Sequence, residues 1–133
     1  MSTHAATAAE MAARLAELSE RGCWEWQLLT FADERLVLIG GGDMVYSHDT
    51  EAAFQGVTFL SCATRMKHAR FRLATEHETR VSGAYAALAP GAVVVAIEGD
   101  ADNDFDRVWF ITARSVEVKC GVFRHTFGDQ PRP

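Results

Sequence analysis

The sequence predicts a single α+β domain over residues 1–133: an N-terminal helix packed on a curved, mainly antiparallel β-sheet, with a second short helix. Three observations carry that reading. A helix-period apolar stripe opens the chain, period-two alternation dominates after Gly22, and the connections between alternating runs are too short for crossover helices. A chain of 133 residues with 48% hydrophobic and 23% charged content can bury one core without staples.

The helix opens at Thr7, which with Glu10 forms a capping box that satisfies two otherwise unpaired amide donors. Met11, Leu15 and Leu18, with Ala8 and Ala12, share one face, and Gly22 is placed to end the helix. That face requires a partner, which is either the sheet or a second subunit. A homodimer is therefore compatible with the pattern.

In Cys23–Phe31, Trp24, Trp26 and Leu28 alternate with Glu25 and Gln27, as in a half-buried strand. Residues 32–35 (Ala-Asp-Glu-Arg) read as a hairpin connection into a more fully buried strand at Leu36–Ile39. Gly40–Gly41–Gly42–Asp43 reads as a turn, with a third strand starting at Met44–Tyr46 and another at Val57–Cys62. Ala69, Phe71 and Leu73 alternate with Arg70 and Arg72, giving a strand with a cationic outer face. Thr75 and Glu78 repeat the capping-box pattern, and Val81, Ala84, Tyr85 and Leu88 follow at helical spacing up to Pro90–Gly91. The apolar runs Val93–Ile97, Val108–Ala113 and Val116–Phe127 complete the sheet, and residues 1–6 and 128–133 are expected to fray.

Composition narrows function mainly by exclusion. No apolar run of about 18 residues is present, and the first twenty residues lack a basic n-region and an apolar h-region, so neither a membrane span nor a secretory leader is expected. Cys23, Cys62 and Cys120 form an odd set without a CxxC pair, which fits reduced, buried thiols in a cytoplasmic protein. The net charge of −5 disfavours a surface that tracks nucleic-acid phosphates. No spacing among His4, His48, His68, His77 and His125 matches a metal motif. Gly40–Gly42 fits neither phosphate-loop fingerprint, so no cofactor is implied. Ser47 and Ser61 stand in no GxSxG elbow. Cys120, alternating with Val116, Val118 and Val122, is expected to be buried.

The stretch Glu98–Asp106 concentrates carboxylates at Glu98, Asp100, Asp102, Asp104 and Asp106. Counted as an EF-hand loop from Asp100, it fails at the sixth position, where Phe105 replaces glycine, and at the twelfth, where Ile111 replaces glutamate. It reads instead as the polar tip between two apolar strands. Its clustered charge would attract a basic surface and accelerate association. The basic cluster Arg65–Arg72 reads as a solvated strand face, with Phe71 turned to the core.

Two functional readings follow. In the first, the chain is a non-enzymatic protein-interaction module that docks a basic protein partner through Asp100, Asp102, Asp104 and Asp106. Small inhibitors and immunity-type proteins share its size and charge, though nothing more specific. In the second, it is a small-molecule-binding or hydrolytic protein with a pocket between helix and sheet. Trp24 and Trp26 would line that pocket, and His48 with Asp49 would supply a base and its orienting carboxylate.

Overall fold

The computed structural model describes residues 7–42, 44 and 47–125. The segments expected to fray, 1–6 and 128–133, lie outside the described residues. Helix α1 (Ala8–Glu20) begins as the sequence implies. The Thr7 hydroxyl accepts from the Glu10 N–H at 3.1 Å, and the Glu10 carboxylate accepts from the Thr7 N–H at 3.0 Å. Met11, Leu15 and Leu18 form its buried stripe, and Gly22 adopts a left-handed φ of 64° just past its end.

Strands β1 (Glu25–Ala32), β2 (Arg35–Gly41), β3 (Ser47–Gln55), β4 (Leu60–Ser61), β5 (Arg65–Leu73), β6 (Val93–Ala101), β7 (Asp104–Ala113) and β8 (Ser115–Arg124) form one eight-stranded antiparallel sheet. Their order is β4-β7-β6-β5-β1-β2-β3-β8, and the sheet does not close. Helix α1 packs on both β5 and β8, although β1, β2 and β3 lie between them. In a flat sheet, four spacings of about 4.8 Å would hold those strands about 19 Å apart. A helix is only about 10–12 Å across. The sheet is therefore rolled around α1, which is the curvature the fold class requires.

The core lies on the concave side. Trp26, Leu36, Leu38, Phe54, Phe71, Val95 and Ile97 meet Met11, Leu15 and Leu18 there, with the Trp26 ring edge-on to Phe71 at 5.1 Å. Ser19 fastens the helix to the sheet, its hydroxyl accepting the Phe71 N–H at 2.8 Å. The β1–β2 hairpin turns at Asp33 (φ 52°) and Glu34 (φ 61°). Two left-handed residues make the turn whose twist matches that of the flanking strands.

Several local expectations need correction. The glycine run is not all turn, because Gly40 and Gly41 continue β2. Met44 sits in a turn, Val45 and Tyr46 lie outside the described residues, and the third strand is Ser47–Gln55. Val57–Cys62 contributes only the short strand Leu60–Ser61. The expected helix over 75–89 stops at Val81 as α2 (Glu76–Val81), because Gly83 turns left-handed at φ 84°; a 3-10 turn, Ala84–Ala87, follows. Val81 and Tyr85 are exposed, so their helical spacing does not mark a core stripe. Trp24 precedes β1 and is exposed, whereas Trp26 is fully enclosed, so the two indoles do not share a face. Cys120 is exposed rather than buried. The side that β8 presents is covered at Val116, half-covered at Val118 and open beyond, as the strand runs clear of α1.

Arg72 ties α2 to the sheet. Its guanidinium donates to both Glu78 oxygens at 2.7 and 2.8 Å and also to Glu98. The Arg72 fork holds the Glu78 carboxyl down at about 2, with the Thr75 N–H assisting. A carboxyl held below its ordinary value of about 4.3 contributes stability above that pH and loses it as pH falls through the folded value. Stability should therefore decline between about pH 4.5 and 2, and Glu78→Gln should lack that part of the decline. Urea titrations across this range, read by far-UV circular dichroism, measure the difference; identical pH profiles would show that the pair is not linked to folding.

Candidate functional site

The acidic stretch is mostly strand. Strand β6 continues to Ala101 and β7 resumes at Asp104, so only Asp102 and Asn103 form the tip of the hairpin, with Asp102 left-handed at φ 48°. The register shifts between Gly99 and Ala101, and Asp106 takes a φ of 56°. An extra residue on one arm produces such a bulge and leaves its amide unpaired by the ladder. The Asp100 carboxylate supplies the partner, accepting the Asp106 N–H at 2.9 Å. It also lies 3.1 Å from His68 Nδ1, and these two contacts lower its pKa, the amide foremost.

The four aspartates therefore divide. Asp100 builds the hairpin, whereas Asp102, Asp104 and Asp106 face solvent. Asp104 pairs with Arg107 at 3.4 Å, with both side chains more than half exposed, so the pair neutralises it only weakly. Asp102 and Asp106 have no ion-pair partner among the described residues. Between them Phe105 is 64% exposed, and Val108 is also exposed further along β7. An aromatic ring standing in water within a rim of carboxylates was not foreseen from the alternation, which assigned Phe105 no role.

The basic cluster is largely consumed by neighbours. Arg65 donates to Glu25 at 3.2 Å, Arg72 is held by Glu78 and Glu98, and His68 sits against Asp100. Lys67 and Arg70 have no ion-pair partner among the described residues. Arg70 lines an open groove of 230 Å³ with His68, Glu98, Asp106 and Arg107. Trp24 leans edge-on against His68 at 4.3 Å, at the margin of this region.

The residues of the alternative pocket are not brought together. Trp26 is at 0% exposure in the core, Trp24 lies at the surface beside His68, and His48 sits in β3 against Phe123 of β8. His48 is buried strand rather than loop, and its carboxylate is Glu51 rather than Asp49: Nε2 lies 2.8 Å from Glu51 Oε2. In a regular strand residues 48 and 51 point to opposite faces. The register shift between His48 and Thr50 places its extra residue on β8, where Gly121 and Val122 stand opposite Asp49, so the ladder is irregular at the point where the two side chains meet. The carboxylate fixes the proton on Nε2, and Nδ1 faces His125 Nε2 at 3.1 Å. Both ring nitrogens are thus engaged, and no hydrogen bond joins His48 to Ser47. Asp49 instead accepts from Thr50 Oγ1 at 2.8 Å and lies 3.9 Å from Arg21. The hollow beside His48, of 310 Å³, is an open groove floored by Gly41 and Gly42.

Cys23 and Cys62 are poor nucleophiles because burial raises both thiols, Cys62 to about 11. Among the described residues, no three His, Cys, Asp or Glu side chains cluster so as to hold a metal ion, and no helix is long and apolar enough to cross a membrane. No protein-family model, curated protein or solved structure matches the chain.

Proposed function

We propose that this chain is a non-enzymatic interaction module that docks a basic protein partner through the β6–β7 hairpin. The observation that carries the reading is Phe105, 64% exposed and flanked by the solvent-facing carboxylates of Asp104 and Asp106. Interfaces concentrate affinity in a few aromatic anchors enclosed by a polar rim. Carboxylates around such an anchor would steer a cationic surface onto it, and screening over about 8 Å at physiological salt leaves that steering local to the tip. The hairpin is built to project: a two-residue tip, a bulge fixed by Asp100, and an apolar pair of strands behind it.

Asp100 belongs to the scaffold in this reading, and Asp102, Asp104, Asp106 and Phe105 to the contact. The triple variant Asp102→Asn/Asp104→Asn/Asp106→Asn should weaken capture of a partner from host lysate about tenfold or more at low salt. Phe105→Ala should weaken it at every salt concentration, by about 1–3 kcal/mol. Both variants should melt within a degree or two of the parent, because the altered side chains lie in water. Equal capture of the same partner by the parent and both variants would remove the hairpin from the interface.

A further inference from the structure

We infer that β8 is a self-pairing edge, so that two copies of this chain join by antiparallel pairing of their β8 strands in register about Val118. The inference is independent of the hairpin reading and rests on the other end of the sheet. β8 is last in the strand order, bonded to β3 on one side and, among the described residues, to no strand on the other. Glu117, Lys119, Cys120, Gly121 and Val122 are all exposed along it.

The two ends of the sheet are treated differently. At the far end, β4 pairs only with Ile111 and Phe110 of β7. The remaining edge of β7 carries Asp104 and Asp106 and is bent by the left-handed Asp106, features that resist strand addition. β8 has a bulge only beyond Cys120, where Gly121 and Val122 stand opposite Asp49; the run Ser115–Cys120 pairs regularly with β3, contains no proline and has no left-handed φ. That regular run presents a row of amides and carbonyls to any matching strand.

The charge pattern names the occupant. Glu117 and Lys119 lie two apart on the face turned away from α1, 3.5 Å from one another and both more than half exposed. A two-fold axis through Val118 sets Glu117 opposite Lys119 of the partner subunit, and Lys119 opposite Glu117 of the partner subunit. Moving the axis one residue either way sets glutamate against glutamate or lysine against lysine, which destabilises the pairing. On the face turned toward α1, the same register sets Val118 against its own copy and Val116 against Cys120, giving the half-covered Val118 and exposed Cys120 apolar neighbours. The strand is thus complementary to itself in one register, which points to a second copy rather than to an unrelated strand.

Sedimentation of the full chain over about 5–500 μM should show a reversible monomer–dimer equilibrium in the range of ordinary weak interfaces. Lys119→Glu should weaken the dimer about tenfold or more, by clustering like charges across the strand pair. Adding Glu117→Lys to it should restore the dimer, since the exchanged pair is again self-complementary. Circular dichroism keeps these substitutions interpretable, because both positions are solvent-facing. A cysteine placed at Val118 in a Cys120→Ser background should link two copies on mild diamide oxidation. A monomer across the whole range, an unaffected Lys119→Glu dimer, no rescue by the double exchange, or linkage of the parent through Cys120 in place of Val118→Cys would each overturn the pairing.

Discussion

Leu15→Ala should lower the stability of the fold by about 2–5 kcal/mol, a large share of the roughly 5–15 kcal/mol that holds a domain of this size together. Leu15 is at 0% exposure in the middle of the α1 stripe, between Met11 and Leu18, one turn before Ser19 ties the helix to Phe71. Its side chain fills the concave side of the sheet, in the space that α1 occupies between β5 and β8. Truncation leaves a cavity that the sheet can relieve only by flattening, which would separate the same two strands from the helix. Urea unfolding should show a lower midpoint with little change in slope, whereas Glu20→Ala at the exposed end of the helix should stay within about 0.5 kcal/mol of the parent. A Leu15→Ala loss below about 1 kcal/mol would mean that the helix is not what keeps the sheet curved.

What the sequence disclosed here is what short-range chemistry dictates. The capping boxes at Thr7 and Thr75, the helix end at Gly22 and the antiparallel sheet all follow from spacing that a few residues decide among themselves. What stayed hidden depends on partners remote in sequence. The contact of His48 with Glu51 falls where the β3–β8 ladder is irregular, so no local pattern could pair them. The same holds for Asp100, whose role as acceptor for Asp106 exists only because the β6–β7 ladder slips. Trp24 and Trp26 look equivalent by alternation, yet the strand begins only at Glu25, and Trp24 is left outside. Cys120 keeps the side that alternation gave it, but an edge strand has one neighbour, and α1 does not reach that far. In each case the rhythm of two was legible and its phase or its cover was not.

The glycine run shows the same division and yields the second large effect. Gly40→Val should destabilise by several kcal/mol, Gly40→Ala by about 1–3 kcal/mol, and Gly42→Ala by less than about 0.5 kcal/mol. A turn would make the three glycines alike in demanding backbone freedom, whereas the structure separates them by what lies above each. A Cβ on Gly40 would stand 2.8 Å from the Trp26 ring, one on Gly41 would stand 3.1 Å from the flexible Met44 sulfur, and one on Gly42 would meet open space. The bare backbone of Gly40, paired with Trp26 across the β1–β2 ladder, is what lets the indole lie flat in the core. Any side chain there pushes the ring towards Phe71, 5.1 Å away and itself buried. Trp26 Nε1 is also buried without a hydrogen-bond partner among the described residues, so Trp26→Phe removes an unsatisfied donor and frees volume together. Gly40→Ala and Trp26→Phe should therefore be strongly non-additive, the double variant being more stable than the summed single losses predict by about 1 kcal/mol or more. Strict additivity in a four-way urea comparison would mean that Gly40 is required for its backbone alone, and that the indole does not set the identity of the residue opposite it.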